Sequence, residues 1–242
     1  MKVAIISDIH ANIHALAAVW EDIRSQKPDR VYCLGDLVGY GAYPNEVVDF
    51  IRKRAIPTVM GNFDEGAGFD FDDCGCLYQD LELKRLADQS LEWTQAHISR
   101  ENKAFLRSLP VQIRIEQKRP KLLMVHGSPR KINEYLYQDR PQATFEHMAR
   151  IAGSDVIFFG HTHLPYRKKV GRTNFINAGS VGKPKDGDPR AGYVLAKLSW
   201  PARIEHRRVN YDVAAAVQAI RGAGLPEQFA SVLEQGGLHA IG

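Results

Sequence analysis

Short apolar runs rich in β-branched residues alternate with longer stretches of helical period along most of the chain. VAIIS (3–7), RVYCLG (30–35), PTVMG (57–61), KLLMVHG (121–127) and DVIFFG (155–160) are the runs, and their length and composition predict buried strands. Between them, HALAAVWEDIRSQ (14–26), NEVVDFIRKR (45–54) and RPQATFEHMARIA (140–152) carry apolar residues at helical spacing. Residues 77–108 predict one or two further helices, which must end before Pro110 because proline disfavours the α conformation of its predecessor. After residue 164 the texture becomes alternating, and PYRKKV, TNFINAG, AGYVLAKL and ARIEHRRV predict strands joined by Gly, Asn and Pro turns. From Tyr211 the chain reads as two short helices split at GAGLP. The alternation of strand and helix predicts an α/β protein. With no repeat, low-complexity tract or long linker, one domain over residues 1–242 is expected, with 211–242 as a C-terminal helical tail.

Composition narrows the class without naming a chemistry. The 242 residues are 44% hydrophobic, enough for a substantial core. Net charge is only +4, a weak bias towards anionic ligands. Basic clusters at 117-QKRPK, 167-RKKVGR and 203-RIEHRR read first as solvated hairpin faces. Cys33, Cys74 and Cys76 form neither a CxxC pair nor a disulfide framework, which suits a reducing cytoplasm. MKVAIISD enters a strand pattern directly, and no run of about 20 apolar residues occurs, so neither secretion nor membrane spanning is expected.

Metal-type side chains recur where the runs end. Asp8 and His10 follow the first, Asp36 the second, Asn62 and Asp64 the third, His126 the fourth, and His161 and His163 the fifth. Singly, SDIH reads as a capped strand end, GD as a turn and GHTH as a pair of hydrogen-bonded histidines. After five successive runs, however, Asp, Asn and His make up an oxygen and nitrogen donor set for divalent transition metals. In open α/β sheets such loops converge on one crevice at the carboxyl ends of the strands.

In order and spacing, these residues resemble the motifs DxH, GDxx[DG], GN[HD][DE], H and GHxH of the calcineurin-like metallophosphoesterase family. The words HANIHAL, GDLVGYGAYPNEVV, HGSPR and NAGSVGKPKDGDPRAGY are similar to its small bacterial branch, named beside diadenosine tetraphosphatases and YfcE-like phosphodiesterases. The resemblance implies a four-layer α/β/β/α sandwich with a dinuclear metal site. By motif position, Asp8, His10 and His163 would hold one ion, Asn62, His126 and His161 the other, and Asp36 would bridge them. Manganese is expected ahead of iron, zinc or nickel. A hydroxide bridging the ions would then attack the phosphorus of a small phosphorylated substrate, so no serine or cysteine nucleophile is needed.

Phe63 departs from the family pattern, because many members carry there a histidine that assists the leaving group. His14 could stand in for it or be an ordinary residue of the first helix, and Asp64 could be purely structural. Asn12 is placed either to contact phosphate or to cap that helix. Arg130 and Arg190 match phosphate bidentately but equally match carboxylates. Tyr40, Tyr43 and Tyr135 are candidates for shaping the pocket, and the GSVG turn (179–182) for packing beneath it. The alternatives to an enzyme are a binding scaffold that retains the fold and, less favoured, a nuclease using the 167-RKKVGR hairpin. Oligomeric state carries no expectation.

Overall fold

The computed structural model describes residues 1–76, 80–116, 120–199 and 202–237. In chain order the elements are β1 (Lys2–Ile6), α1 (Ile13–Gln26), β2 (Arg30–Cys33), α2 (Pro44–Lys53), α3 (Asn62–Phe69), α4 (Leu81–His97) and α5 (Arg100–Arg107). They continue with β3 (Gln112–Ile115), β4 (Leu122–Val125), α6 (Gln142–Ala152) and β5 (Val156–Phe159). β6 (Tyr166–Val170), β7 (Thr173–Asn177), β8 (Ala191–Lys197) and β9 (Arg203–Val209) then lead to α7 (Val213–Gly222) and α8 (Glu227–Gln235).

One sheet has the order β2-β1-β8-β9 and the other β3-β4-β5-β7-β6. The pairs β1–β2, β4–β5 and β5–β7 are parallel; the remaining neighbours run antiparallel. The near-continuous apolar character of the runs follows from burial of both strand faces. Val3 and Ile5 of β1 meet Leu122, Met124, Val156 and Phe158 between the sheets. Ala4 and Ile6 point the other way, onto Leu16 and Val19 of α1. In the second sheet Leu123, Val125, Ile157 and Phe159 pack on Phe145 and Met148 of α6. Helices, two face-to-face sheets and helix therefore stack as four layers. Each fully buried side chain of this size contributes roughly 1.5–3 kcal/mol, so three such cores hold the strand ends firmly in place. The tail belongs to the same body: Val217, Ile220, Phe229 and Leu233 pack with Leu86 of α4.

Three elements differ from the sequence expectation. PTVMG forms only an isolated bridge, Thr58 to Cys33, because Pro57 offers no N–H and the chain turns at Gly61 directly into α3. α3 itself, NFDEGAGF, hides behind two glycines that weaken a helical reading. β3 is an edge strand of mixed polarity, QIRI, with too little apolar signal to stand out. The expected helices over 77–108 are α4 and α5; Leu77 lies outside the described residues, as do residues 117–119 of the first basic cluster and 238–242 of the tail.

Candidate metal centre

Five of the metal-type residues sit in the left-handed backbone region: Asp8 (φ 52°), His10 (49°), Asp36 (52°), His161 (65°) and His163 (60°). Such conformations cost about 1–3 kcal/mol each for residues with a Cβ and persist only where the surroundings over-determine them. The surroundings here are interlocked loops. Asp8 N donates to Gly35 O (3.0 Å), His10 N to Asp36 O (3.0 Å), and His161 N to Asp8 Oδ2 (3.1 Å). Val181 N and Gly182 N from the GSVG turn donate to Ser7 O (2.9 Å) and Asp8 O (3.0 Å), so that turn does pack beneath the cluster. Two motif glycines are fixed by the same crowding. A Cβ on Gly61 would lie 2.2 Å from Asp36 Oδ1, and one on Gly160 2.3 Å from Asp8 Oδ2.

The side chains converge in two groups, Asp8–His10–His163 and Asp36–His126–His161, each with ligand atoms within 4.8 Å of one another and all of them buried. In the first, His163 Nε2 lies 3.2 Å from Asp8 Oδ1 and 3.1 Å from His10 Nε2. In the second, His126 Nε2 lies 3.1 Å from Asn62 Oδ1, which adds the amide to that group. Asp36 Oδ2 stands between them, 3.6 Å from His10 Nε2 and 3.4 Å from His126 Nε2. Its other oxygen accepts Phe63 N at 2.9 Å, which orients the carboxylate.

The imidazoles are oriented as ligands should be. Nδ1 of His10, His126 and His163 faces the carbonyls of Val38 (3.0 Å), Leu34 (2.8 Å) and Lys183 (2.5 Å), which leaves Nε2 free of a proton in the neutral ring. Burial pulls His10 down to about 3 and takes His161 and His163 well below their ordinary value, so these three are unprotonated at neutral pH. His126 goes the other way: burial opposes its charge, but the Asp36 and Asp8 carboxylates outweigh it and hold His126 up at about 10. The carboxylates thus favour positive charge within the cluster. His161 Nε2 is buried without a hydrogen-bond partner. An orphaned buried nitrogen beside an oxygen and nitrogen donor set fits a pair of divalent ions.

The profile of the calcineurin-like phosphoesterase superfamily domain matches residues 1–199. The chain belongs to that superfamily. An uncharacterised protein of Methanocaldococcus jannaschii is 36% identical, covering 93% of this chain and 94% of its own. A phosphodiesterase of Escherichia coli, YfcE, is 25% identical over 78% of this chain and 84% of its own. The crystal structure of a metallophosphoesterase from Sphaerobacter thermophilus superposes with a TM-score of 0.80 at 32% identity, covering 98% of this chain and 99% of that one.

Within this phosphoesterase fold, Phe63 is buried beside the cluster, its ring edge-on to His10 (5.6 Å between centroids) and 4.7 Å from Tyr40. Asp64 is structural: Oδ1 accepts Leu37 N (2.8 Å) and Oδ2 accepts Gly61 N (3.0 Å), and its burial beside Asp36 raises its pKa. Asn12 caps α1 by accepting Ala15 N (3.0 Å) and donates to Gly182 O (3.0 Å), so both ends of its amide are engaged within the fold. Arg190 forms an exposed fork with Asp188 (Nη2–Oδ2 2.7 Å), and nothing among its described partners links it to the cluster. Arg130 pairs with Glu134 on the wall of a neighbouring cavity. Tyr135 stacks on His161, centroids 4.2 Å apart. His14 meets the ring of Tyr43, and its Nε2 is buried without a partner in the small cavity it shares with His10, Tyr40 and Lys183.

Lys183 is the residue that sequence reading missed. Its side chain is buried, with Nζ 4.0 Å from the centre of the Tyr40 ring, and its backbone carbonyl orients His163. The only sequence signal was a pair of lysines around Pro184 in a glycine-bounded loop.

The two groups can be separated by mutation. His161→Ala is expected to empty mainly the group of Asn62 and His126, and His163→Ala mainly that of Asp8 and His10. Anomalous scattering from crystals of each metal-loaded variant shows which ion is lost; the same ion missing from both contradicts the division.

Proposed function

We propose that the protein hydrolyses a phosphoester, whether a phosphodiester, an activated phosphomonoester or a phosphoanhydride, on a small phosphorylated substrate in the cytoplasm. Two divalent ions, manganese ahead of iron, zinc or nickel, would supply a bridging hydroxide of lowered pKa and a clamp on the phosphoryl oxygens. What supports this reading most is the shared carboxylate, since Asp36 Oδ2 lies within 3.6 Å of one ligand group and 3.4 Å of the other. The chain's own contribution is positional. Asp8, His10 and His163 fix one half, Asn62, His126 and His161 the other, and backbone carbonyls hold three of the imidazoles in one tautomer.

The basic segments do not favour nucleic acid. Lys168 donates to Gln138 O (2.7 Å) and Arg140 O (3.2 Å), Arg207 pairs with Asp22 (3.1 Å), and Arg208 pairs with Asp186. Among the described residues no helix is long and apolar enough to cross a membrane.

The test is a screen of the chelated protein, resupplied in turn with Mn²⁺, Fe²⁺, Zn²⁺ and Ni²⁺, over phosphomonoesters, phosphodiesters, cyclic nucleotides and dinucleoside polyphosphates. Metal-restored turnover of an aryl phosphodiester is the expected result. No turnover of any ester with both ions bound would favour the binding scaffold.

A further inference from the structure

A cavity of about 1000 Å³ opens beside the metal-type cluster, flanked by Arg130, Lys131, Tyr135, Tyr137, Arg140 and Lys185. Its volume is of the size that holds a nucleotide-sized ligand. Two features of the lining point to one chemistry. The first is an aromatic ladder: Tyr135 stacks on His161, and Tyr137 lies parallel to Tyr135, with 2° between the planes and 5.5 Å between centroids. Tyr137, the outer rung, is 37% exposed, which leaves a π-face for a planar ring. The second is positive charge outside the carboxylate pairs of the lining, Arg130 with Glu134 among them. Glu134 is already taken by Arg130 and Ser128, whereas Lys131, Arg140 and Lys185 have no ion pair among the described residues. Lys185 is half-buried, lines the cavity with Tyr135, and follows by two residues Lys183, whose carbonyl faces His163 Nδ1, so the cationic side of the cavity lies next to the cluster.

We propose that this cavity is a subsite for the nucleoside phosphate part of the substrate, with the base stacking on Tyr137 and further phosphate oxygens facing Arg140 and Lys185. The substrate class then becomes an ester or anhydride of a nucleotide, an assignment that rests on the phosphoesterase reading above. A flat base fits a tyrosine ladder better than a sugar or alkyl group would, because its stacking energy comes from its π-face. Guanidinium and ammonium groups serve the phosphates.

Calorimetric titration of the metal-loaded full-length protein with ADP and, separately, with inorganic pyrophosphate isolates the ring. ADP is expected to bind about tenfold more tightly, the scale of one base stacked on one aromatic. Tyr137→Ala should remove that advantage, and Tyr137→Phe, which keeps the ring, should retain it. Arg140→Ala should weaken both ligands. A parallel comparison of thymidine 5′-(4-nitrophenyl) phosphate with ethyl 4-nitrophenyl phosphate, which share a leaving group, reads the same preference as a ratio of kcat/KM that falls in Tyr137→Ala. Equal affinity for ADP and pyrophosphate, or a ratio indifferent to Tyr137, overturns the subsite. Absence of turnover together with Tyr137-dependent ADP binding leaves the subsite standing and defeats the phosphoesterase reading instead.

Discussion

Phe63→His is expected to raise turnover of esters with poor leaving groups by about 10²–10⁴-fold, the range of a positioned general acid, and to change activated esters little. The phenyl ring lies 5.6 Å from the His10 ring and beside Tyr40, at the edge of the cluster, and cannot donate a proton. With no donor at this position, the proposed mechanism has the departing oxygen of the wild type leave as an anion. Aryl esters and phosphoanhydrides should react well and simple alkyl esters poorly. Rates for a series of aryl phosphates and phosphodiesters, plotted against leaving-group pKa, should give a steep negative slope in the wild type and a shallower one in the variant. A shallow slope in the wild type would mean that another group already donates. His14 and Lys183, which line the same small cavity as His10, would be the first to replace.

The cluster was legible from sequence because its donors are short-range features: each follows an apolar run, and the fold brings seven of the eight metal-type residues, all but Asp64, into one buried site. What lay beyond the sequence was whatever depends on packing between distant segments. Asn12 reads equally as cap or phosphate contact, and the use of its amide nitrogen is shown by Gly182 and Tyr211, 170 and 199 residues away. Arg130 and Arg190 looked alike in glycine- and proline-rich loops, yet one lines a cavity and the other forks onto its near neighbour Asp188. α3 was hidden because its glycines suit close packing at the price of helix propensity: Gly66 and Gly68 lie where a Cβ would meet Leu91 at 3.1 Å and Leu106 at 3.2 Å. Lys183 was missed because a lysine in a loop is ordinarily solvated, and nothing local announces that Tyr40 covers it.

Asp36→Asn should be the most damaging single change in the cluster. The substitution keeps the side-chain shape, and with its oxygen facing Phe63 N it preserves the 2.9 Å hydrogen bond there. It removes the negative charge standing between His10 and His126, the one carboxylate among the described residues that lies within 4 Å of an imidazole of each ligand group. Both ions should bind more weakly. Losing several kcal/mol of transition-state stabilisation corresponds to a fall in kcat/KM of about 10³-fold or more. The readouts are metal content after gel filtration and aryl phosphodiester turnover at saturating metal. A variant that loses one ion only, or that retains full activity, would show that Asp36 is not shared.

Elemental analysis of the unmodified, metal-replete protein bears on the proposed dinuclear centre most directly, because it depends on no substrate and no substitution. Two divalent transition-metal ions per chain is the expected result; one ion or fewer per chain under the same conditions would contradict it.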